Sequence, residues 1–135
     1  MSAVFADTTF YVALINRDDA LHASANGWAR SNARSVVTTE FVLLEVANFF
    51  KRPGGDREKF AAFVEAVQSD AATAIVPADS AHFRRGLAFF AQRNDKEWSL
   101  TDCISFIVMH EQGLLEALTA DRHFEQAGFQ ALLRN

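Results

Sequence analysis

Short apolar runs alternate with longer stretches of helical periodicity along almost the whole chain, and that alternation admits few folds. AVFA at 3–6, SVVT at 35–38, AIV at 74–76 and EALTA at 116–120 each suit a short buried strand. A last edge strand is expected over 129–132. Helices are expected over 8–16, 21–32, 39–52, 57–69, 79–93, 101–112 and 122–127. The clearest is REKFAAFVEAVQS at 57–69, where Phe60, Phe63, Val64 and Val67 recur at helical spacing. Pro77 stops the third strand, Gly113 and Gly128 close helices, and Pro53-Gly54-Gly55 forms the one Pro/Gly turn. Strands that alternate with helices predict an α/β fold with a mainly parallel sheet. In such a sheet ligands sit at the carboxyl ends of the strands, so the polar residues placed there matter most.

The chain has 135 residues, which suits one domain, 1–135, with one hydrophobic core. No apolar stretch approaches the roughly 20 residues of a membrane-spanning helix. MSAVFADTTF lacks the basic start and apolar run of a signal peptide, and the single Cys103 cannot form an internal disulfide. These features predict a soluble, cytoplasmic protein. The formal net charge of −4 argues against a general polyanion-coating protein. Local basic groups remain, with Lys51, Arg52, Arg57 and Lys59 close in sequence and Arg84 beside Arg85.

Four acids fall where the predicted topology gathers strand ends and early helix turns. Asp7 follows the first strand, Asp121 follows the fourth, and Asp102 opens a helix in WSLTDCISFIVM. Glu45 interrupts the apolar run FVLLEVANFF. Each Asp also has a structural role open to it, as a helix cap or a favourable charge at the helix N-terminus. Glu45 has no such role, and an unpaired carboxylate on an apolar helix face requires a partner, either an arginine such as Arg52 or a cation. Two carboxylates about 4 Å apart repel by roughly 4 kcal/mol at an effective dielectric near 20, so several together call for protons or cations. Hard divalent ions such as Mg²⁺ or Mn²⁺ take oxygen ligands of this kind.

Asp7 in VFADTTFYVAL, Glu45 in TTEFVLLEVANFF, Asp102 in WSLTDCISF and Asp121 in LTADRHFEQAGF resemble the acidic motifs of PIN-domain ribonucleases. The resemblance is nearest to the VapC-type toxins of bacterial toxin–antitoxin pairs and runs from about residue 3 to residue 132. It implies a three-layer α/β/α sandwich that collects Asp7, Glu45, Asp102 and Asp121 at one sheet edge. It further implies that these four hold one or two Mg²⁺ or Mn²⁺ ions. The activity it implies is endonucleolytic RNA cleavage by metal-activated water, leaving a 5′-phosphate and a 3′-hydroxyl. Asp7 and Asp102 are then direct metal ligands, Glu45 binds metal or a metal-held water, and Asp121 completes a second position. Thr8 and Thr119 are candidate supporting hydroxyls, with strand-end hydrogen bonding as their ordinary role. The same resemblance implies a cognate antitoxin partner and a homodimer.

Other chemistry finds little support. His22, His82, His110 and His123 show no zinc spacing with one another or with Cys103, and His110-Glu111 does not begin an H-E-x-x-H motif. No glycine-rich phosphate loop is present. An aspartyl-phosphate phosphatase would need D-x-D after the first strand, where this chain has Thr9. Two alternatives to an RNA nuclease stand: a PIN-like module that binds metal or a basic partner without turnover, and a structure-specific DNA nuclease.

Overall fold

The computed structural model describes residues 2–31, 33–51 and 53–134. Five strands, β1 (Val4–Ala6), β2 (Val36–Thr39), β3 (Thr73–Val76), β4 (Glu116–Leu118) and β5 (Gln130–Ala131), form one sheet in the order β3-β2-β1-β4-β5. Every neighbouring pair runs parallel. The strands are linked by helices α1 (Thr8–Ile15), α2 (His22–Ser31), α3 (Glu40–Ala47), α4 (Arg57–Ser69), α5 (Ser80–Gln92), α6 (Leu100–Gln112) and α7 (Arg122–Gln126). The α/β fold expected from the alternation is therefore present, and its sheet is wholly parallel among the described residues.

The strand order has a mechanical consequence. The chain steps from β1 outward to β2 and β3, then crosses back past β1 to β4 and β5. Right-handed crossovers put the helices of the outward path on one face and those of the return path on the other. Two aromatic groups fill those faces. Phe10 and Tyr11 of α1 meet Trp28 of α2 and Phe63 of α4. On the return path Phe106 of α6 packs edge-on to both Trp98 and Phe124, and Phe124 reaches Phe5 of β1. Val4, Phe5 and Ala6 are fully buried, as a strand covered on both faces must be.

The helix expected over 39–52 is shorter. The α-helix ends at Ala47 and tightens into a 3-10 turn over Asn48–Phe50, with Arg52 outside the described residues. Pro53 disfavours helical geometry just before it, which accounts for the early ending. β4 likewise stops at Leu118, although the Thr119 carbonyl still accepts the Leu133 amide at 3.0 Å beyond the strand end.

Candidate active site

β1 and β4 are neighbours in the sheet, yet the chain leaves them in opposite directions. Their carboxyl ends flank the crevice where a doubly wound sheet places its ligands. Asp7 lies there at the end of β1, and Thr119 and Asp121 lie at the end of β4.

Asp7 occupies the N-cap position of α1, but its side chain makes no capping bond to the second or third amide of the helix. Its Oδ2 instead accepts hydrogen bonds from Thr119 Oγ1 at 2.9 Å and Thr9 Oγ1 at 3.0 Å. Thr119 Oγ1 in turn accepts the Asp121 amide at 3.0 Å, so one hydroxyl ties the end of β1 to the start of α7. Asp7 is 3% exposed. Burial, reinforced by the negative charge of Asp102, pushes its carboxyl pKa up to about 7, although the hydroxyls of Thr119 and Thr9 and the Thr8 amide pull the other way.

Asp102 sits in the first turn of α6. It forms a complete capping box with Ser99: Ser99 Oγ accepts the Asp102 amide at 3.0 Å, and Asp102 Oδ2 accepts the Ser99 amide at 3.1 Å. Burial raises its pKa, as does the charge of Asp121, against the lowering effect of the Ser99 amide and His123. Asp121 caps α7 through the His123 amide at 2.9 Å. For these two residues the capping role is real, and it points the same side chains at each other. The caps act as the braces that fix carboxylate orientation.

Between Asp102 and Asp121 stands a residue that the sequence reading set aside. His123 Nδ1 lies 3.1 Å from Asp102 Oδ2 and 3.4 Å from Asp121 Oδ1. One ligand atom from each of Asp102, Asp121 and His123 falls within 4.8 Å of the others, and among the described residues this is the one such group of three or more. Asp7 stands outside that trio, coupled to it by the charge of Asp102 and by the Thr119 bridge. Thr9, read only as the missing second acid of a phosphatase, donates its hydroxyl to Asp7 Oδ2. The hydroxyl expected of Thr8 takes no such part: Thr8 Oγ1 and Ser105 Oγ are the two buried side-chain atoms left without a partner among the described residues.

Glu45 departs from its expectation of deep burial. It is partly exposed on α3, which packs on both α1 and α6, and among the described residues it has no ion-pair partner. α3 buries Val42, Leu43 and Val46, while Leu44 is 65% exposed, so the apolar run continues around a side of the helix that faces solvent. Cys103, next to Asp102, is fully buried, and burial pushes its thiol up to about 11, which makes it an inert core residue.

The PIN domain family model matches residues 4–130. The chain belongs to the PIN-domain family. Within it, the 23S rRNA-specific endonuclease VapC20 of Mycobacterium tuberculosis, from strains CDC 1551 / Oshkosh and H37Rv, is 31% identical over 126 residues, covering 93% of this chain and 95% of the relative. The crystal structure of M. tuberculosis VapC20, described as a sarcin-ricin loop cleaving toxin, superposes with a TM-score of 0.83 at 28% identity, again over 93% of this chain and 95% of the other. The resemblance to VapC-type PIN nucleases and the expected fold class are both borne out. The chain thus takes its place among the PIN-domain nucleases.

The donor set is that of a hard-cation site with one borderline ligand: carboxylate oxygens from Asp7, Asp102 and Asp121, and an imidazole nitrogen. A cation answers the two anomalies the residues present. It offsets the desolvation that chiefly raises the Asp7 and Asp102 carboxyls and the repulsion between neighbouring carboxylates that adds to it. The residues present therefore fit a divalent metal.

Proposed function

We propose that this chain is a divalent-metal-dependent endoribonuclease, the toxin of a toxin–antitoxin pair, working in the cytoplasm with residues 1–135 as a single PIN-like domain. The observation that carries the reading is the convergence of Asp7, Asp102 and Asp121 at the β1/β4 switch point of a PIN-family chain. Asp7, Asp102 and Asp121 hold Mg²⁺ or Mn²⁺, and Glu45, from the helix between α1 and α6, reaches the same edge as a ligand or through water. When bound, the ion supplies Lewis acidity, which acidifies water and neutralises charge on the scissile phosphate.

The protein's own contribution is orientation and proton control. Thr119 and Thr9 hold the Asp7 carboxylate through its Oδ2. The Ser99 capping box and the α7 cap hold Asp102 and Asp121 in fixed rotamers, so little ordering remains to be done when substrate arrives. Ribosomal RNA is the first substrate class to try, because the relative of like length is named for cleaving 23S rRNA. The antitoxin and a second copy of the chain have apolar surface to dock on: Leu44 of α3 and the Phe83, Leu87, Phe90 face of α5 are exposed.

The test is cleavage of total RNA and intact ribosomes by purified protein in Mn²⁺, Mg²⁺ or chelator, beside Asp7→Asn and Asp102→Asn. Discrete, metal-dependent fragments that fall at least about 100-fold in both variants are expected, a loss typical of removing a group that acts on the transition state. Equal cleavage by wild type and variants would mean a contaminant. Cleavage confined to DNA would favour a structure-specific DNA nuclease, and metal binding without any cleavage would favour a binding module.

A further inference from the structure

We propose that His123 is a direct nitrogen ligand of the active-site metal, giving a one-histidine, two-carboxylate face that prefers Mn²⁺ over Mg²⁺. This rests on the metal-nuclease reading above and deepens it.

Three observations carry it. First, the two nitrogen–oxygen separations fit edges of an octahedron. Two ligands about 2.1 Å from an ion and at right angles to one another lie about 3.0 Å apart. His123 Nδ1 is 3.1 Å from Asp102 Oδ2 and 3.4 Å from Asp121 Oδ1. Second, the side chains are already held. Asp102 is locked by the Ser99 capping box, and the Asp121 carboxylate accepts the backbone amide of His123 itself, which sets the ring's starting point on α7. Phe124, the next residue, is fully buried against Phe5 and Phe106, so the backbone of α7 that carries His123 is anchored to the core. Third, Nδ1 faces two carboxylates, where it donates an N–H to Asp102 without metal and becomes a nitrogen ligand when a cation takes the place of that proton. A ring serving only to pack would not present its nitrogen to both acids.

The chemical consequence is selectivity. Mg²⁺ is a hard ion that takes oxygen ligands, whereas Mn²⁺, a first-row transition ion, accepts an imidazole nitrogen more readily. One nitrogen in the ligand set therefore shifts preference toward Mn²⁺ without excluding Mg²⁺.

The experiment is pulsed electron paramagnetic resonance on the Mn²⁺-loaded protein, with histidine labelled as ¹⁴N or ¹⁵N, and calorimetry of Mn²⁺ and Mg²⁺ binding to wild type and His123→Gln. Nitrogen hyperfine coupling is expected in wild type, shifted by the isotope and absent in His123→Gln. Mn²⁺ affinity should fall at least about tenfold in the variant, the lower end of what losing even an outer-sphere partner costs. Mg²⁺ affinity should fall less, so that the Mn²⁺/Mg²⁺ preference narrows. The labelled wild-type spectrum needs no variant and stands even if His123→Gln folds poorly. Mn²⁺ bound with no nitrogen coupling would overturn the ligand role and leave His123 a positioning partner of Asp102. No stoichiometric Mn²⁺ in wild type would overturn the metal-nuclease reading itself.

Discussion

Asp7 concentrates the conflict between folding and function in one side chain. It is buried, held by two threonine hydroxyls, and its carboxyl is pushed up to about 7 by burial and by Asp102. Between the ordinary carboxylate range near 4 and that raised value, the folded protein binds a proton that the unfolded chain releases. Stability in chelator must therefore fall as pH rises from about 4 to about 7 and level off above, because the folded state holds more protons across that window. Replacing the group with its neutral isostere removes the effect. Asp7→Asn in chelator should be more stable than wild type at pH 8 by about 2–4 kcal/mol, and no more stable at pH 4. Urea unfolding at the two pH values checks this. A variant less stable at both would mean that the hydroxyl bonds need the charge, and that Asp7 is a structural anion.

The same residue shows what could be read before any coordinates. Asp7, Asp102 and Asp121 were legible because each follows a strand or opens a helix, and topology alone sends such positions to one edge. Glu45 was legible as an oddity but misjudged in depth, since eight apolar residues in ten do not reveal which side of α3 is covered. His123 was not legible, because its place depends on α7 being packed by Phe124, a tertiary fact. Its one signal in the chain was its position two residues after a strand-end aspartate.

At the scale of elements, the order and type of every helix and strand followed from periodicity, and the errors lie at ends. The α5–α6 pair shows why pattern alone leaves tolerance undefined. Gly86 sits buried in the middle of α5, where its helix propensity is poor by about 1 kcal/mol relative to alanine. A Cβ placed there would lie 2.3 Å from Ile104 Cγ1 and 3.1 Å from the Ile104 Cα, so glycine is what lets α5 approach α6 this closely. The approach is pinned at its other end by His82, whose ring bridges Asp79 and Glu111, and by Arg85 paired with Glu111. Gly86→Ala should thus be destabilising by about 1–3 kcal/mol despite the better propensity, since the clashing Ile104 Cγ1 belongs to a β-branched side chain with little rotamer freedom on a helix. The penalty should shrink in an Ile104→Ala background, which a double-mutant cycle by thermal or urea unfolding measures. An additive cycle would mean that α5 moves freely on α6. Because α6 carries Asp102, any forced separation should also lower nuclease activity.

At the scale of the whole molecule, the proposed metal site makes the gathered carboxylates a destabilising element that a cation would convert into a stabilising one. Carboxylates are gathered at the β1/β4 switch point of a five-stranded sheet whose core is otherwise apolar and aromatic. A metal that binds the folded site and not the unfolded chain adds about 2.7 kcal/mol when its free concentration is a hundred times its Kd. For a chain of 135 residues that corresponds to a rise in Tm of roughly 10 °C. The rise should be larger at pH 8 than at pH 5.5, because at the lower pH the ion must displace the proton that Asp7 holds. Asp7→Asn and Asp102→Asn should each lose most of it while starting from a higher Tm in chelator. Differential scanning calorimetry in Mn²⁺ and in chelator, at both pH values, separates the contributions. An equal rise in wild type and both variants would place the ion elsewhere on this acidic protein and detach its stability from its site. A rise that vanishes with the carboxylates and grows with pH would show one set of charges limiting the apo fold and holding the metal.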